Sequence, residues 1–351
     1  GAGCTASCLN GIRSSRNMLS KTEICHALIR LNLMDASENP ALSELNGGIS
    51  SEIYKVDLDG RSFCVKSALP TLKSDPDWHV PVERTAAEWE WLKLAQNVAK
   101  NIAPEPLGYD KKTNTLVMSY LEPELYPNWK DLLSQGIIDP NMAEAAAERL
   151  VMLHNATAGD EKLIQRFSND RIFYDIRLEA YFLETGRNVE VLNDLMHELV
   201  ESTAASKVAL VHGDVSPKNI LIGPNGPVFL DAECACYGEP AFDAAFCLTH
   251  FLLKCLWKPN WKKGYLKCHE RFRKTYFLNA KWLDMTELER RVTHLHLGML
   301  VARVAGRSKV EYVSDKFTQE LVKTFATRHL ISHVATTGEV ATLWNEILDA
   351  G

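Results

Sequence analysis

The sequence contains no long apolar run: no stretch approaches the roughly 20 residues that a helix needs to cross a bilayer, so no membrane segment is predicted. It contains no internal repeat and no low-complexity tract. It also lacks an excess of positive charge, because 39 lysines and arginines face 45 aspartates and glutamates, for a net charge of −6. This balance gives no electrostatic reason to expect a nucleic acid as partner.

The nine cysteines include no CxxC pair, and their odd number does not fit a disulfide framework. We therefore expect reduced thiols and a cytoplasmic protein. Residues 1–19 lack the continuous apolar core of a secretory signal, and we expect them to be a disordered leader. A chain of 351 residues with 46% apolar residues is long enough for two lobes with sizeable cores.

The stretch from 208 to 233 reads VALVHGDVSPKNILIGPNGPVFLDAE. Its three short apolar runs are bounded by Gly, Pro and Asn, which predicts buried strands, and the tract GPNGP predicts a hairpin turn. If the hairpin is symmetric about Asn225, Asn219 lies opposite Asp231. Asp214 follows the first strand. Three oxygen-bearing side chains are then expected to converge at one end of a small sheet.

Two carboxylates and one amide suit Mg²⁺, which prefers hard oxygen ligands, keeps several waters and is usually completed by substrate phosphates. Asp and Asn also punctuate ordinary turns, so none of the three is informative alone. Their combination with His212-Gly213 in front and Lys218 between them favours a metal and phosphate site.

The motif HGDVSPKN, followed by LDAE, resembles the active-site signature of the aminoglycoside phosphotransferase and choline kinase superfamily. Members are small-molecule kinases with the protein-kinase-like fold. The resemblance implies Asp214 as catalytic base, Asn219 as a metal ligand and Asp231 as the principal Mg²⁺ ligand. Two positions depart from the family pattern: Ala232 replaces the usual aromatic residue, and Lys218 occupies a position that is often small. Neither departure removes a reacting group.

Residues 42–66 read LSELNGGISSEIYKVDLDGRSFCVK, which predicts a strand, a glycine loop, a strand, a tight turn and a strand. Gly47, Gly48 and Ser50 of the loop can bring backbone N–H groups close to phosphate oxygens, although a Gly pair is more often an ordinary turn. Kinases hold the ATP phosphates with a strand lysine, and Lys66 stands in a matching apolar setting.

A helix is predicted from 81 to 98, after an unusually long connection over 67–80. Kinases use a glutamate of this helix to orient the phosphate lysine. Glu88 fits the family pattern better, and Glu90 is the alternative. A glutamate that only faces solvent is the remaining interpretation.

Residues 115–121 are predicted to form a buried strand that leads out of the first lobe. By position this resembles the kinase hinge, where the backbone near Ser119 and Leu121 would bind adenine. We place the lobe boundary here, with a nucleotide-binding lobe over 20–121 and a catalytic and substrate lobe over 122–351.

The fold class predicted from these parts is α+β, a two-lobed protein-kinase-like fold with a mainly β first lobe and a mainly helical second lobe. The leading functional hypothesis is an ATP- and Mg²⁺-dependent phosphotransferase that acts on a hydroxyl group of a small molecule. A non-catalytic pseudokinase module is the alternative. A protein kinase is less favoured, because HGD replaces HRD and no APE-type segment follows Asp231.

In the second lobe, Asp243 is expected to brace the catalytic-loop backbone rather than to react. The segment 254–274 carries eight lysines and arginines against one glutamate. Such a run is usually a solvated helix face. If part of it borders the acceptor site, a polycation would be repelled, and the hypothesised acceptor is therefore a neutral or anionic hydroxylated metabolite rather than an aminoglycoside.

Overall fold

The computed structural model describes residues 19–45, 50–73 and 75–350. Almost all of the predicted leader therefore lies outside the described residues. The first element is helix α1 (Lys21–Arg30), which begins with a capping box. The Ser20 hydroxyl accepts a hydrogen bond from the Glu23 N–H, and the Glu23 carboxylate accepts one from the Ser20 N–H. The sequence Ser-Lys-Thr-Glu at 20–23 has the spacing of a capping box, and the helix begins at that position.

The first part of the chain is mainly β-structure. Its strands are β1 (Ala41–Glu44), β2 (Ser51–Leu58), β3 (Arg61–Ala68), β4 (Thr71–Leu72), β5 (Asp75–His79), β6 (Pro106–Asp110) and β7 (Thr115–Ser119). Five of them form an antiparallel sheet in the order β1-β2-β3-β7-β6. The connection predicted over 67–80 contains the separate β4–β5 ribbon. Leu58 pairs with Arg61 around Gly60, whose φ of +71° confirms the predicted tight turn.

Helix α2 (Arg84–Val98) packs on β3, β6 and β7. It begins three residues later than predicted, and the turn before it includes Pro81. The side chains of Trp91, Leu92 and Ala95 are buried at helical spacing and form an apolar stripe along the helix. The stripe fixes which face of α2 points to solvent and which to the sheet.

The second part of the chain is mainly helical. Its α-helices are α3 (Trp129–Ser134), α4 (Pro140–Thr157), α5 (Glu161–Arg166), α6 (Asp170–Phe173), α7 (Glu184–Asn188), α8 (Asn193–Ala205), α9 (Ala241–Trp257), α10 (Lys262–Asn279), α11 (Met285–Ala305), α12 (Lys316–Ile331) and α13 (Thr337–Ala350). A π-helix, Tyr174–Leu183, joins α6 to α7. Helix α9 is buried continuously from Ala241 to Cys255, against α10 and α11. A helix that is apolar on all sides forms the centre of the domain core.

Two small antiparallel sheets interrupt these helices. Their strands are β8 (Ala209–Val211), β9 (Ile220–Gly223), β10 (Gly226–Phe229) and β11 (Cys236–Gly238). The single small sheet expected around the HGD motif was wrong, because β8 pairs with β11 and the β9–β10 hairpin forms its own sheet. Pairing with β8 holds Cys236–Gly238 in an extended conformation.

The hairpin register was also wrong by one residue. Asn219 lies opposite Leu230, whose N–H donates to the Asn219 carbonyl at 2.8 Å, and not opposite Asp231. The physical reason is the turn length: Gly223 pairs with Gly226, so only two residues form the loop. Gly226 has a φ of +103°, which favours glycine at this position.

A β-rich first part and a helical second part confirm the α+β prediction, while the boundary at 121/122 stays a prediction. Among the helices of the described residues, none has the length and apolar character needed to cross a membrane.

The C-terminal helix α13 is expected to be a structural support of α9. Trp344 is fully buried, its Nε1 donates to the Leu252 carbonyl at 3.1 Å, and its ring lies 4.8 Å from that of Phe325. We expect Trp344→Ala to lower the free energy of unfolding by about 3–5 kcal/mol, because it leaves a cavity and removes a buried hydrogen bond. Denaturant unfolding measures this, and Glu346→Ala on the exposed face of α13 should stay within about 0.5 kcal/mol of the wild type. Equal stabilities of the two variants would contradict the supporting role.

Candidate active site

The loop between β8 and β9 carries Asp214, and a buried carboxylate holds its backbone. Asp243, at the start of α9, accepts hydrogen bonds from the N–H of His212 at 2.7 Å and from the N–H of Gly213 at 2.8 Å. It also lies 3.2 Å from His154 Nε2, and both side chains are fully buried. The expected bracing role of Asp243 is confirmed, and the loop is fixed to the core helix.

Glycine is required at position 213. Its φ is +83°, and a Cβ atom there would lie 2.9 Å from the carbonyl oxygen of Cys234. The adjacent His212 is buried, which lowers the pKa of its imidazole. Its Nε2 donates to the Leu230 carbonyl at 3.0 Å, while Nδ1 accepts from the Asp214 N–H at 3.1 Å. A single neutral tautomer therefore links the Asp214 loop to the end of β10.

Arg177 was not anticipated from the sequence, and it is the direct partner of Asp214. Its Nη2 lies 3.0 Å from Asp214 Oδ2, and its Nε donates to the Gly213 carbonyl at 2.6 Å. The guanidinium comes from the π-helix and lies 5.6 Å from the ring centroid of Tyr181. No local motif marks Arg177, because only the packing of the π-helix brings it to the loop.

Lys66 on β3 contacts two carboxylates. Its Nζ lies 2.7 Å from Glu88 Oε2 on α2 and forms an ion pair with Asp231. Only 4% of the Lys66 side chain and 2% of the Glu88 side chain are exposed. Glu90, the alternative, points elsewhere and pairs with Arg166 at 2.7 Å. The structure therefore brings together Lys66, Glu88 and Asp231, and leaves Glu90 outside the site.

One ammonium group is shared between these two acids, which sets their pKa values apart. Burial lowers the pKa of Lys66, but Asp231 and Glu88 raise it more, so the group stays protonated. Burial by itself raises the pKa of Asp231, but the attraction to the Lys66 ammonium outweighs burial and lowers the pKa to about 2. For Glu88, burial raises the pKa and the attraction to Lys66 offsets this only in part. Asp231 is thus the more acidic carboxylate and stays ionised.

Asp231 and Asn219, the two predicted metal ligands, line the same cleft. Asp231 has a φ of +67°, an uncommon conformation for a residue other than glycine. The Asn219 Nδ2 donates to the Asp214 carbonyl at 3.1 Å, which leaves its Oδ1 available as a ligand. Among the described residues no cluster of three His, Cys, Asp or Glu side chains could hold a metal. Two oxygen ligands fit magnesium, which retains waters and takes phosphate oxygens.

A cleft of about 410 Å³ lies over this site. Ser50, Ser119 and Leu121, three of the residues expected to contact the nucleotide, line it together with Lys66. The Ser51 hydroxyl, at the start of β2, is buried and has no hydrogen-bond partner among the described residues. An unpartnered donor at the end of the loop suits a phosphate oxygen. Gly47 and Gly48 of the same loop lie outside the described residues.

A second buried arginine ties the cleft together and was also missed. Arg84, at the start of α2, is fully buried and donates to the Ser50 carbonyl and, at 2.7 Å, to the Leu69 carbonyl. Its Nε donates to Glu233 Oε2 at 3.0 Å. Glu233 stands two residues after Asp231. Arg84 thus connects the ends of β2 and β3 to the loop that carries Asp231.

Solved structures share this architecture. An ethanolamine kinase from Plasmodium vivax superimposes with a TM-score of 0.56 at 15% sequence identity, over 92% of this chain and 94% of that one. A choline kinase from Cryptosporidium parvum gives a TM-score of 0.52 at 13% identity, over 94% of this chain and 97% of that one. At these identities the likeness concerns the fold alone.

The sequence relatives are distant, with identities of about a quarter. Methylthioribose kinase 1 of Oryza sativa is 25% identical over 240 residues, which is 60% of this chain and 56% of the rice protein. The match thus spans little more than half of that relative's length. A 4-hydroxytryptamine kinase of Psilocybe cyanescens is 24% identical over 281 residues, 68% of this chain and 76% of that protein. The model of the phosphotransferase enzyme family matches residues 41–274, from β1 through most of α10. This segment contains both the cleft and the HGD motif, and the chain belongs to the phosphotransferase enzyme family.

Proposed function

We propose that this protein is a kinase that transfers the γ-phosphoryl group of ATP, with Mg²⁺, to a hydroxyl group of a small molecule. The observation that carries the proposal is the buried ammonium of Lys66 held between Glu88 and Asp231, in the cleft that Asn219 also lines. Phosphoryl transfer needs positioning and charge stabilisation more than covalent chemistry from the protein. This set of groups supplies both.

Asp214 is proposed to receive the acceptor. Arg177 occupies its Oδ2 atom, so Oδ1 is the atom left to accept the hydrogen bond of the acceptor hydroxyl. As the oxygen attacks the γ-phosphorus, the hydroxyl proton passes to Asp214 Oδ1. The Asp243 brace keeps the loop backbone in place, so Asp214 orients the hydroxyl without a change in loop structure.

Lys66 is proposed to bind the ATP phosphates while Glu88 keeps its ammonium oriented. Asp231 and Asn219 would hold the magnesium ion. When bound, the ion would neutralise charge on the phosphate oxygens. The backbone near Ser119 and Leu121 is proposed to bind adenine. All the charged groups that transfer requires are present and paired, so nothing in the site favours the pseudokinase alternative.

The acceptor is proposed to be a neutral or anionic hydroxylated metabolite. The two relatives named above act, by their names, on methylthioribose and on 4-hydroxytryptamine, so the family leaves the acceptor open. Most of the basic segment 254–274 lies on the protein surface, where Lys262, Arg271 and Lys274 form ion pairs. Lys254 differs, because it is buried in α9. The expectation that a polycationic acceptor would be repelled therefore depends on Lys254 and not on the whole segment 254–274.

The first prediction concerns Asp214. We expect Asp214→Asn to lower kcat by about 10²–10⁴ while the KM for ATP changes little, because the amide cannot accept the proton. Coupled ATP turnover with a panel of hydroxylated compounds measures this. Asp194→Asn, at the start of α8, is the matched control and should behave as wild type. Full activity of Asp214→Asn would rule out its role.

The second prediction concerns Lys66. Lys66→Ala removes a charge-assisted contact to the phosphates, worth about 1.5–3 kcal/mol, so kcat/KM for ATP should fall by roughly 10- to 100-fold. Circular dichroism checks that the variant is folded, because Glu88 and Asp231 lose their shared partner. Lys93→Ala on the exposed side of α2 is the control. Unchanged ATP kinetics in folded Lys66→Ala would refute phosphate binding by Lys66.

The third prediction concerns the acceptor class. Steady-state kinetics with kanamycin-type aminoglycosides beside neutral sugars and sugar acids should give the higher kcat/KM for the sugars and sugar acids. Like charges in contact cost about 1–4 kcal/mol, or roughly one to three decades in affinity. A micromolar KM and rapid turnover on the antibiotic alone would contradict the proposal.

A further inference from the structure

Lys254 is an unusual lysine, because it is buried without an acidic partner. Its exposure is 1%, and its side chain makes no hydrogen bond or ion pair with any residue of the described ranges. Buried charges in proteins are normally paired. The neighbouring basic residues follow that rule, as Lys262 pairs with Asp349. Lys254 is therefore a buried ammonium group whose charge no carboxylate of the described residues neutralises by direct contact.

Two aromatic rings hold this ammonium group. Trp257 and Tyr312 stack with their centroids 4.8 Å apart. Lys254 Nζ lies 4.8 Å from the Trp257 centroid and 5.2 Å from that of Tyr312, and Lys130 Nζ lies 5.7 and 5.9 Å from the same two centroids. Aromatic pairs of this kind attract cations. Here the protein's own lysines already take that place, and Lys130 also pairs with Glu311. The two ammonium groups outnumber this one carboxylate, so an amine would meet net positive charge and an anion would meet the unpaired ammonium group of Lys254.

One chain of contacts leads from this ring pair to the catalytic loop through α3. Asn128, the N-cap of α3, donates from its Nδ2 to the Lys218 carbonyl at 2.7 Å. Lys218 directly precedes Asn219. Lys130, in the first turn of α3, reaches the rings. The ring pair and the catalytic loop therefore lie on either side of the N-terminus of α3.

A second chain of contacts runs through α9. The guanidinium of Arg177, which contacts Asp214, lies 5.9 Å from the Phe246 ring centroid. The rings of Phe246 and His250 are 5.3 Å apart, and His250 Nδ1 lies 3.3 Å from the Tyr312 hydroxyl. Both routes from the catalytic loop thus end at the same ring pair.

The residue spacing along α9 gives the approximate distance between Lys254 and Asp214. Phe246, His250 and Lys254 follow one another at four-residue intervals on one face of the helix. The helical rise places Lys254 about 12 Å beyond Phe246, and long helical side chains lean back toward the N-terminus. From this rise and the contacts of Arg177 with Asp214 and Phe246, we estimate that an anion at Lys254 would lie on the order of 10 Å from Asp214. A six-carbon chain with a hydrogen bond at each end spans that distance.

We propose that Lys254 and Lys130, with the stacked Trp257–Tyr312 pair, form an anion subsite of the acceptor cleft. The acceptor is then a hydroxylated compound with a carboxylate or phosphate group at the end remote from the hydroxyl that is phosphorylated. This inference rests on the proposed kinase function and adds the charge and length of the acceptor to it.

The protonation of Lys254 gives the subsite a pH dependence. Burial lowers the pKa of Lys254 to about 7, the nearby Lys130 ammonium lowers it as well, and Glu311 opposes both. A bound anion favours the protonated form and raises the pKa again. Anion affinity should therefore fall by up to tenfold per pH unit above about 7. The charged and titratable groups that face Lys254 are Lys130 and Asp131 of α3, Cys247, His250 and Lys258 around α9, and Glu311 and Tyr312 before α12.

The test uses three compounds with the same carbon chain and different charge: gluconate, glucitol and glucamine. Calorimetry in the presence of Mg²⁺ and a non-hydrolysable ATP analogue measures binding without turnover, and glucitol 6-phosphate tests a phosphate group at the end of the same six-carbon chain. We expect gluconate or the phosphate to bind at least tenfold more tightly than the neutral and cationic compounds. Preference for glucitol or glucamine, or failure to bind either anion, overturns the subsite.

Lys254→Met removes the charge and keeps the volume. It should weaken anion binding roughly 10- to 100-fold, abolish its pH dependence above pH 7, and leave the KM for ATP unchanged. Lys267→Met, an exposed residue of the same basic segment, is the matched control and should bind anions as wild type does. Thermal unfolding shows whether Lys254→Met is folded, and removal of an unpaired buried charge should leave it at least as stable. Equal anion binding by wild type and folded Lys254→Met overturns the proposal.

The two proposals fail separately. Absence of a phosphorylated product with every acceptor, despite anion binding that depends on Lys254, would refute the kinase function and retain the subsite. Product formation with unchanged charge preference in Lys254→Met would refute the subsite and retain the kinase function.

Discussion

The ammonium of Lys66 is the interaction on which the rest of the site depends. The ammonium group is buried between Glu88 and Asp231. Lys66 of β3 therefore connects the five-stranded sheet both to α2 and to the loop that follows β10. A charge removed from water must be compensated, and only this relative placement of sheet, helix and loop compensates it. Arg84 repeats the arrangement by joining α2 to Glu233. The electrostatic cost of separating these charges keeps the cleft assembled.

The loop that carries Asp214 is fixed by a second buried acidic side chain. Asp243 accepts from two consecutive backbone N–H groups, and it is anchored in α9, the most buried helix of the fold. The same helix carries Phe246, His250 and Lys254 on one face. The position of Asp214 and the proposed charge preference for the acceptor are thus set by one rigid element. Preorganised charges of this kind stabilise a developing charge without reorganisation during the reaction.

Several expectations from the sequence failed where pairing partners had to be chosen. Two of the short runs around the HGD motif paired as predicted, but β8 took β11 as its partner, because β-strand propensity does not specify which strand lies alongside. The hairpin register shifted by one residue because the turn contains two residues and not three. The basic segment 254–274 looked uniform as a sequence, whereas packing buried Lys254 and left Lys267 in solvent.

The sequence by itself determined the α+β class, the helix start at Ser20, the glycine turn at Gly60 and the spacing of Asp214, Asn219 and Asp231, because each depends on local periodicity, capping or a motif within one stretch. The tertiary structure alone decided that Glu88 and not Glu90 reaches Lys66, and that Arg177 and Arg84 contact Asp214 and Glu233. These partners lie far apart in the chain, and a buried arginine has the same local pattern as an exposed one. Only the packing of helices and sheet determines which charges meet.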